Sequence, residues 1–180
     1  MPRFDLLLRN GSLVTEVGVA VADIGVLDGR MAAIGPELDG DGAEEGDAAG
    51  LHVFPGVIDA HVHLNEPGRT DWEGVGSGTR ALAAGGATAC LEMPLNAQPP
   101  TVDAASFGAK RAAVEASALV DVALWGGLVP GNVDRLDELA ACGVVGFKAF
   151  MSRSGTADFP AADDRTLYEG MRRAAALGLP

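Results

Sequence analysis

Cysteine is scarce in this chain of 180 residues, with only Cys90 and Cys142. Two cysteines supply neither a disulfide framework nor a cysteine-rich zinc site, and both lie among apolar or small residues, so buried free thiols are expected. Long apolar runs are also missing. No stretch approaches the length that spans a bilayer, and the start, MPRFDLLLRN, lacks the apolar core of a secretion signal. Basic residues are few, 13 against 25 acidic, giving a net charge of −12. That balance argues against nucleic acid or an anionic membrane as a partner, and a cytoplasmic protein is expected. No G-x-G-x-x-G follows the first strand of the α/β part and no G-x-x-x-x-G-K-[ST] occurs, so nucleotide binding loses its support. Histidine is limited to three residues and lysine to two.

Against that background, the stretch Val53 to Arg69, VFPGVIDAHVHLNEPGR, stands out. It reads as an apolar strand over 53–60 that ends in His61-Val62-His63 and breaks into a polar turn. Residues two apart on a strand share a face, so His61 and His63 can aim two imidazoles at one point. Neutral imidazole is a common ligand for zinc and related metals. Asp59 shares that face, where it could hold one histidine by its second ring nitrogen. Taken alone, H-x-H is a weak motif. Its place at the C-terminal end of an apolar strand, where α/β sheets and barrels put their chemistry, strengthens it.

The chain before this point is β-rich. Strands over 4–9 and 12–15 flank Asn10-Gly11, and strands over 24–27 and 30–34 flank Asp28-Gly29, two hairpin signals. The acidic, glycine-rich segment 37–50 (ELDGDGAEEGDAAG) is expected to be a solvated surface loop; it matches no calcium-loop spacing. After His63, helices and strands alternate: helices over 72–84, from Pro99 to 118 with Thr101 as N-cap, 132–141 and 163–177; strands over 87–93, 119–125 and 144–150. Alternation of this kind predicts a parallel sheet with crossover helices, open or closed into a barrel. A barrel needs eight units and about 250 residues, whereas four units are present before Pro180.

The polar candidates at the strand ends are His61 and His63, Asn96, Gly126-Gly127 and Lys148. Lys148 sits inside an apolar strand, where an unpaired ammonium is costly. It reads either as a snorkelling or ion-paired lysine or as one converted by carbon dioxide into a carbamate that can bridge two metals. Trp72 and Trp125 are expected to pack in the core.

Three segments in this order, PGVIDAHVHLNEPG, GGATACLEMPLNAQPPT and GFKAFMSRSG, resemble the cyclic-amide branch of the amidohydrolase superfamily, comprising dihydroorotase, hydantoinase/dihydropyrimidinase and allantoinase. The resemblance runs over essentially the whole chain. It implies an α/β fold, the first half of a TIM-like (β/α)8 metallo-hydrolase barrel (residues 53–180), preceded by strands of a small β-sandwich domain (residues 1–52). It also implies that His61, His63 and Lys148, as carbamate, are ligands of two divalent metal ions of zinc type, and that Asn96 lies where relatives contact the substrate ring. Asn65 stands where dihydroorotases carry an arginine and Arg153 where dihydropyrimidinases carry a tyrosine, while HVHLNEPGRTDWEG, MPLNAQPPT, ALWGGLVPGN and GFKAFMSRSG look most like allantoinase. The implied partner is a small cyclic ureide, (S)-allantoin, and the implied assembly is a homotetramer. The catalytic Asp and two further histidine ligands of the family are expected beyond Pro180, so the 180 residues alone are expected to be inactive and poorly folded. A neighbouring cyclic amidase and a non-catalytic structural subunit are the alternatives.

Overall fold

One long strand, β1 (Arg3–Thr15), organises the N-terminal sheet. The computed structural model describes residues 3–180, which divide into a unit ending at Pro55 and a second unit, Gly56–Pro180. In the first unit, β2 (Gly18–Leu27) pairs antiparallel with β1, and β3 (Arg30–Gly35) pairs antiparallel with β2. The turn between β2 and β3 is Asp28-Gly29, both at positive φ (51° and 69°), as the sequence predicts for a hairpin of this type. Asn10-Gly11 behaves differently. Rather than turning, it makes a bulge inside β1, where the register with β2 shifts between Leu8 and Gly11. Asp23 accounts for the bulge. Its Oδ1 accepts the Asn10 amide at 2.9 Å and its Oδ2 accepts from the Arg9 guanidinium at 3.0 Å.

The acidic segment is not a loop. Residues Asp41–Asp47 form β4, parallel to β1, and His52–Val53 form the short β5 on the same strand. Main-chain pairing does not depend on side-chain polarity, and Gly42 allows close approach: a Cβ there would lie 2.9 Å from that of Leu7. Val53 therefore belongs to the first unit and not to the histidine strand.

In the second unit β6 (Val57–Val62), β7 (Ala87–Glu92) and β8 (Asp121–Leu124) run parallel in that order. Beyond Trp125 the chain continues as β9 (Gly126–Gly127), which pairs in parallel with β10 (Phe147–Lys148). Bonds from Val145 N to Leu124 O and from Gly126 N to Gly146 O carry the fourth strand onto the third. The intervening helices are α1 (Val75–Ala84), α2 (Ala104–Ser117), α3 (Leu136–Cys142, entered through a 3₁₀ turn at Val133–Arg135) and α4 (Asp164–Leu177). The N-cap of α2 is Asp103, not Thr101: its carboxylate accepts the Ser106 amide, and Ser106 Oγ in turn accepts the Asp103 amide. Gly143 and Gly178 end α3 and α4 in the left-handed conformation that lets a helix stop abruptly.

The fourth strand is shorter than the seven residues the apolar run suggests, and Gly126 and Gly127, which pair with it, lie close to Phe147 and Phe159. A Cβ on Gly127 would lie 2.5 Å from the Phe159 ring. Two clusters make the core, one of Phe107, Leu124, Leu128, Leu136, Leu139 and Val144, the other of Met93, Leu95, Val129 and Phe159, against which Trp125 packs. Trp72 does not join them. It is 59 % exposed, with the Arg69 guanidinium 5.2 Å from its ring centre. Cys90 is buried as expected, whereas Cys142 is only half-buried. On β6, an edge of its sheet, Val57 and Ile58 are 56 % and 65 % exposed. Among the described residues no helix is long and apolar enough to cross a membrane.

Candidate metal centre

His61 and His63 lie at and just past the C-terminal end of β6, with ring centres 5.4 Å apart. Lys148 ends β10, and its Nζ lies 3.1 Å from His61 Nε2. The strands that carry these groups are not neighbours, because β7 and the β8–β9 strand lie between them. In a flat sheet three strand spacings would separate them by roughly 14 Å at ~4.8 Å per strand. Direct contact therefore requires a strongly curved sheet with His61 and Lys148 on its concave face, the curvature of a barrel wall.

The protonation of each group follows from its surroundings. Burial pushes the His63 imidazole below the usual histidine range, partly offset by Leu95 O, with His61 and Lys148 adding in the same downward direction. His63 is accordingly neutral at pH 7. Its Nδ1 lies 3.4 Å from Leu95 O and 3.4 Å from the Asn96 amide nitrogen; in the tautomer with the proton on Nδ1, facing the carbonyl, the Nε2 lone pair is free. Burial also pulls the Lys148 amine below its ordinary value, raising the share of free amine. Free amine is the form that adds carbon dioxide. Asp59 does not reach an imidazole; its Oδ1 accepts the backbone N–H of His61 at 3.1 Å, the local bond a short carboxylate makes two residues on.

Asn96 stands beside this group with φ at 71°, its carboxamide 3.4 Å from His63 Nδ1. Arg69 secures the surrounding loops. Its guanidinium donates to the carbonyls of Asn96 and Ala97 at 2.9 and 3.4 Å and to the Asp158 carboxylate at 3.0 Å. Among the described residues no three His, Cys, Asp or Glu side chains converge; beside the histidine pair stand Lys148 and Asn96. The His61 and His63 imidazoles, with a lysine of lowered pKa in contact with His61, form a donor set that suits a divalent ion once the amine is carbamylated.

A buried ion pair lies behind the histidines, at Glu92 and Lys110, each side chain 1 % exposed. Sequence reasoning passes over it, since nothing in the alanine-rich run around Lys110 points to a partner. Its one signal is Glu92, a lone charge inside the apolar run ACLEMP.

Comparison with known proteins gives a consistent result. The model of the amidohydrolase family matches residues 52–176. An allantoinase from Rubrobacter xylanophilus is 66 % identical over 180 residues, covering the whole chain, and one from Solibacter usitatus is 60 % identical over 176 residues, or 98 % of it. The chain spans 39 % and 38 % of the lengths of these two relatives. Among solved structures, the L-hydantoinase (dihydropyrimidinase) from Arthrobacter aurescens superposes with a TM-score of 0.92 at 36 % identity, over 98 % of this chain and 39 % of that one. A D-hydantoinase from a Thermus species gives 0.82 at 27 % identity over 97 % of this chain and 38 % of that one.

Proposed function

The chain belongs to the amidohydrolase family, and on that premise we propose that it is the N-terminal part of an allantoinase, which opens the ring of (S)-allantoin to allantoate. Its fold is the first half of a TIM-like barrel preceded by a strand domain, and members of the family are generally metal-dependent. The reaction adds water across a ring amide: the carbonyl carbon gains oxygen, the C–N bond breaks, and the nitrogen leaves with a proton.

The observation that carries the reading is the contact of Lys148 Nζ with His61 Nε2 at 3.1 Å, made between the first and fourth strands of the second unit. His61 and His63 are the proposed imidazole ligands, and Lys148 the proposed bridging ligand. The ammonium first gives up a proton to solvent; the free amine nitrogen then adds to carbon dioxide, forming an N–C bond and releasing a second proton, so a cation becomes an anion. When bound, two divalent ions of zinc type would supply Lewis acidity and bring the pKa of nearby water towards neutrality. The chain's own part is to lower the pKa of His63 and Lys148 by burial, to fix His63 through Leu95 O, and to offer the Asn96 carboxamide to the ureide ring.

Allantoin is favoured over other cyclic amides by the 66 % and 60 % identities to allantoinases. The hydantoinase reading rests on the TM-score of 0.92, a likeness of fold at lower identity. The exposed edge strand β6, with Val57 and Ile58 uncovered, is the surface a further barrel strand would occupy.

The test uses the full-length protein. Elemental analysis is expected to find bound zinc or a related metal, and mass analysis of the intact protein a carbon dioxide adduct lost in Lys148→Ala together with the metal. Allantoin is expected to be hydrolysed faster than hydantoin, dihydrouracil or dihydroorotate. A protein free of metal that opens none of these rings would overturn the proposal in favour of a non-catalytic subunit; faster turnover of hydantoin would move it to the neighbouring branch.

A further inference from the structure

The buried pair Glu92–Lys110 touches no candidate ligand, yet its bonds converge on the main chain beside His63. Glu92 is the last residue of β7, with its side chain in the interior. Its Oε2 accepts the backbone N–H of Leu64 at 2.8 Å, and its Oε1 accepts from Lys110 Nζ at 3.1 Å. Lys110, on α2, also donates to Met93 O at 2.7 Å. The Met93 amide in turn donates to Val62 O at 2.8 Å. The residue before His63 and the residue after it are thus both bonded to the tip of β7, one through a main-chain bond and one through the Glu92 carboxylate.

We infer that Glu92, held in place by Lys110, is a positioning residue that fixes the main chain at His63 so that its imidazole is presented in one orientation to the metal centre. The inference rests on the function proposed above and adds a residue pair to it. Packing alone would be served as well or better by two apolar side chains, since a buried ion pair carries a desolvation cost that its mutual attraction does not reliably recover. What apolar side chains lack is an acceptor for the Leu64 amide, which is buried and has no other partner in the strand pairing. Burial pushes the Glu92 carboxyl up and the Lys110 amine down, while their contact draws each back towards its charged form. Lys110 therefore keeps Oε2 available as an anionic acceptor. By binding Oε1 it also sets the plane of the carboxyl group, so that Oε2 faces the Leu64 amide; what that amide needs is an oxygen acceptor at this place.

Two neutral double variants of the full-length protein separate position from packing. E92Q/K110M removes both charges and keeps a carbonyl oxygen for Leu64 N–H; E92M/K110M removes the acceptor as well. Chelator competition is expected to show metal affinity about 10-fold or more weaker in E92M/K110M, and within about threefold of the parent in E92Q/K110M. In the cobalt-loaded protein the visible absorption bands should shift only in E92M/K110M, with kcat reduced and KM unchanged. Glu92→Asp, which keeps the charge and draws the oxygen back by one methylene, should weaken metal binding in the same direction, and it serves if E92M/K110M does not fold. Equal metal affinity in both double variants, or parent affinity in Glu92→Asp, would overturn the inference. If the parent itself binds no metal, the functional reading fails and this inference falls with it; if the parent binds metal and the variants cannot be told apart, only this inference fails.

Discussion

Replacing Lys110 by methionine in the full-length protein tests the energetics of the second unit most directly. The change removes an ammonium that lies 3.1 Å from Glu92 Oε1 and 2.7 Å from Met93 O, in a place where both partners are 1 % exposed. Methionine fills nearly the same volume, so little of the effect comes from a cavity. Removing one partner leaves a buried carboxylate without its counter-charge, a loss of roughly 3–5 kcal/mol. Glu92 can escape part of this by taking a proton. Burial already holds its carboxyl above the usual glutamate range, and loss of the Lys110 charge raises it further. A group whose pKa is raised on folding contributes stability that is complete below its unfolded value and is lost as pH rises through the folded one. The destabilisation of Lys110→Met should therefore be smaller near pH 5 than near pH 8. E92M/K110M removes the stranded charge and leaves the Leu64 amide and the Met93 carbonyl without these side-chain partners, a cost of about 1–3 kcal/mol for each such group with little dependence on pH. Urea unfolding at both pH values, following the tryptophan signal, measures these differences. A single variant as stable as the parent at pH 8, or a double variant less stable than the single, would refute the reasoning.

Cys90, whose thiol burial pushes up to about 11, should stay unlabelled by a maleimide at pH 8 in the native protein, whereas half-buried Cys142 is labelled; peptide mapping distinguishes them, and equal labelling would contradict the burial of Cys90. Gly127→Ala would place a Cβ 2.5 Å from the Phe159 ring, and the resulting overpacking should lower stability by about 1–3 kcal/mol, read as a shifted denaturant midpoint; an unchanged midpoint would mean that Phe159 has room to move.

What could be read from the residues divides along physical lines. Asp28-Gly29 and the two helix stops at Gly143 and Gly178 were legible because each needs a positive φ that few residue types adopt readily. His61, His63 and Lys148 were legible as candidates because imidazoles two apart on a strand share a face and a lysine in an apolar run calls for a reason. Asn10-Gly11 misled, since a bulge and a tight turn ask for the same residues and only the partner Asp23 decides between them. The acidic strand β4 was hidden because its pairing with β1 uses main-chain groups that composition does not reveal. Thr101 reads as a cap from its place after two prolines, whereas the D-x-x-S spacing from Asp103 to Ser106 is the signal the helix uses. Glu92 and Lys110 were missed as a pair because they lie on different elements, 18 residues apart, and only packing of α2 against β7 brings them together.

Arg69 binds main-chain oxygens of the Asn96 loop and the side chain of Asp158, which lies 89 residues further along the chain. Three loops that differ in length and composition therefore share one fastener. Withdrawing Arg69 would release the other two at once, whereas either of them can part from Arg69 singly. A substitution at position 69 would therefore be felt in places far apart along the chain, at residues 96 and 97 and at residue 158 alike.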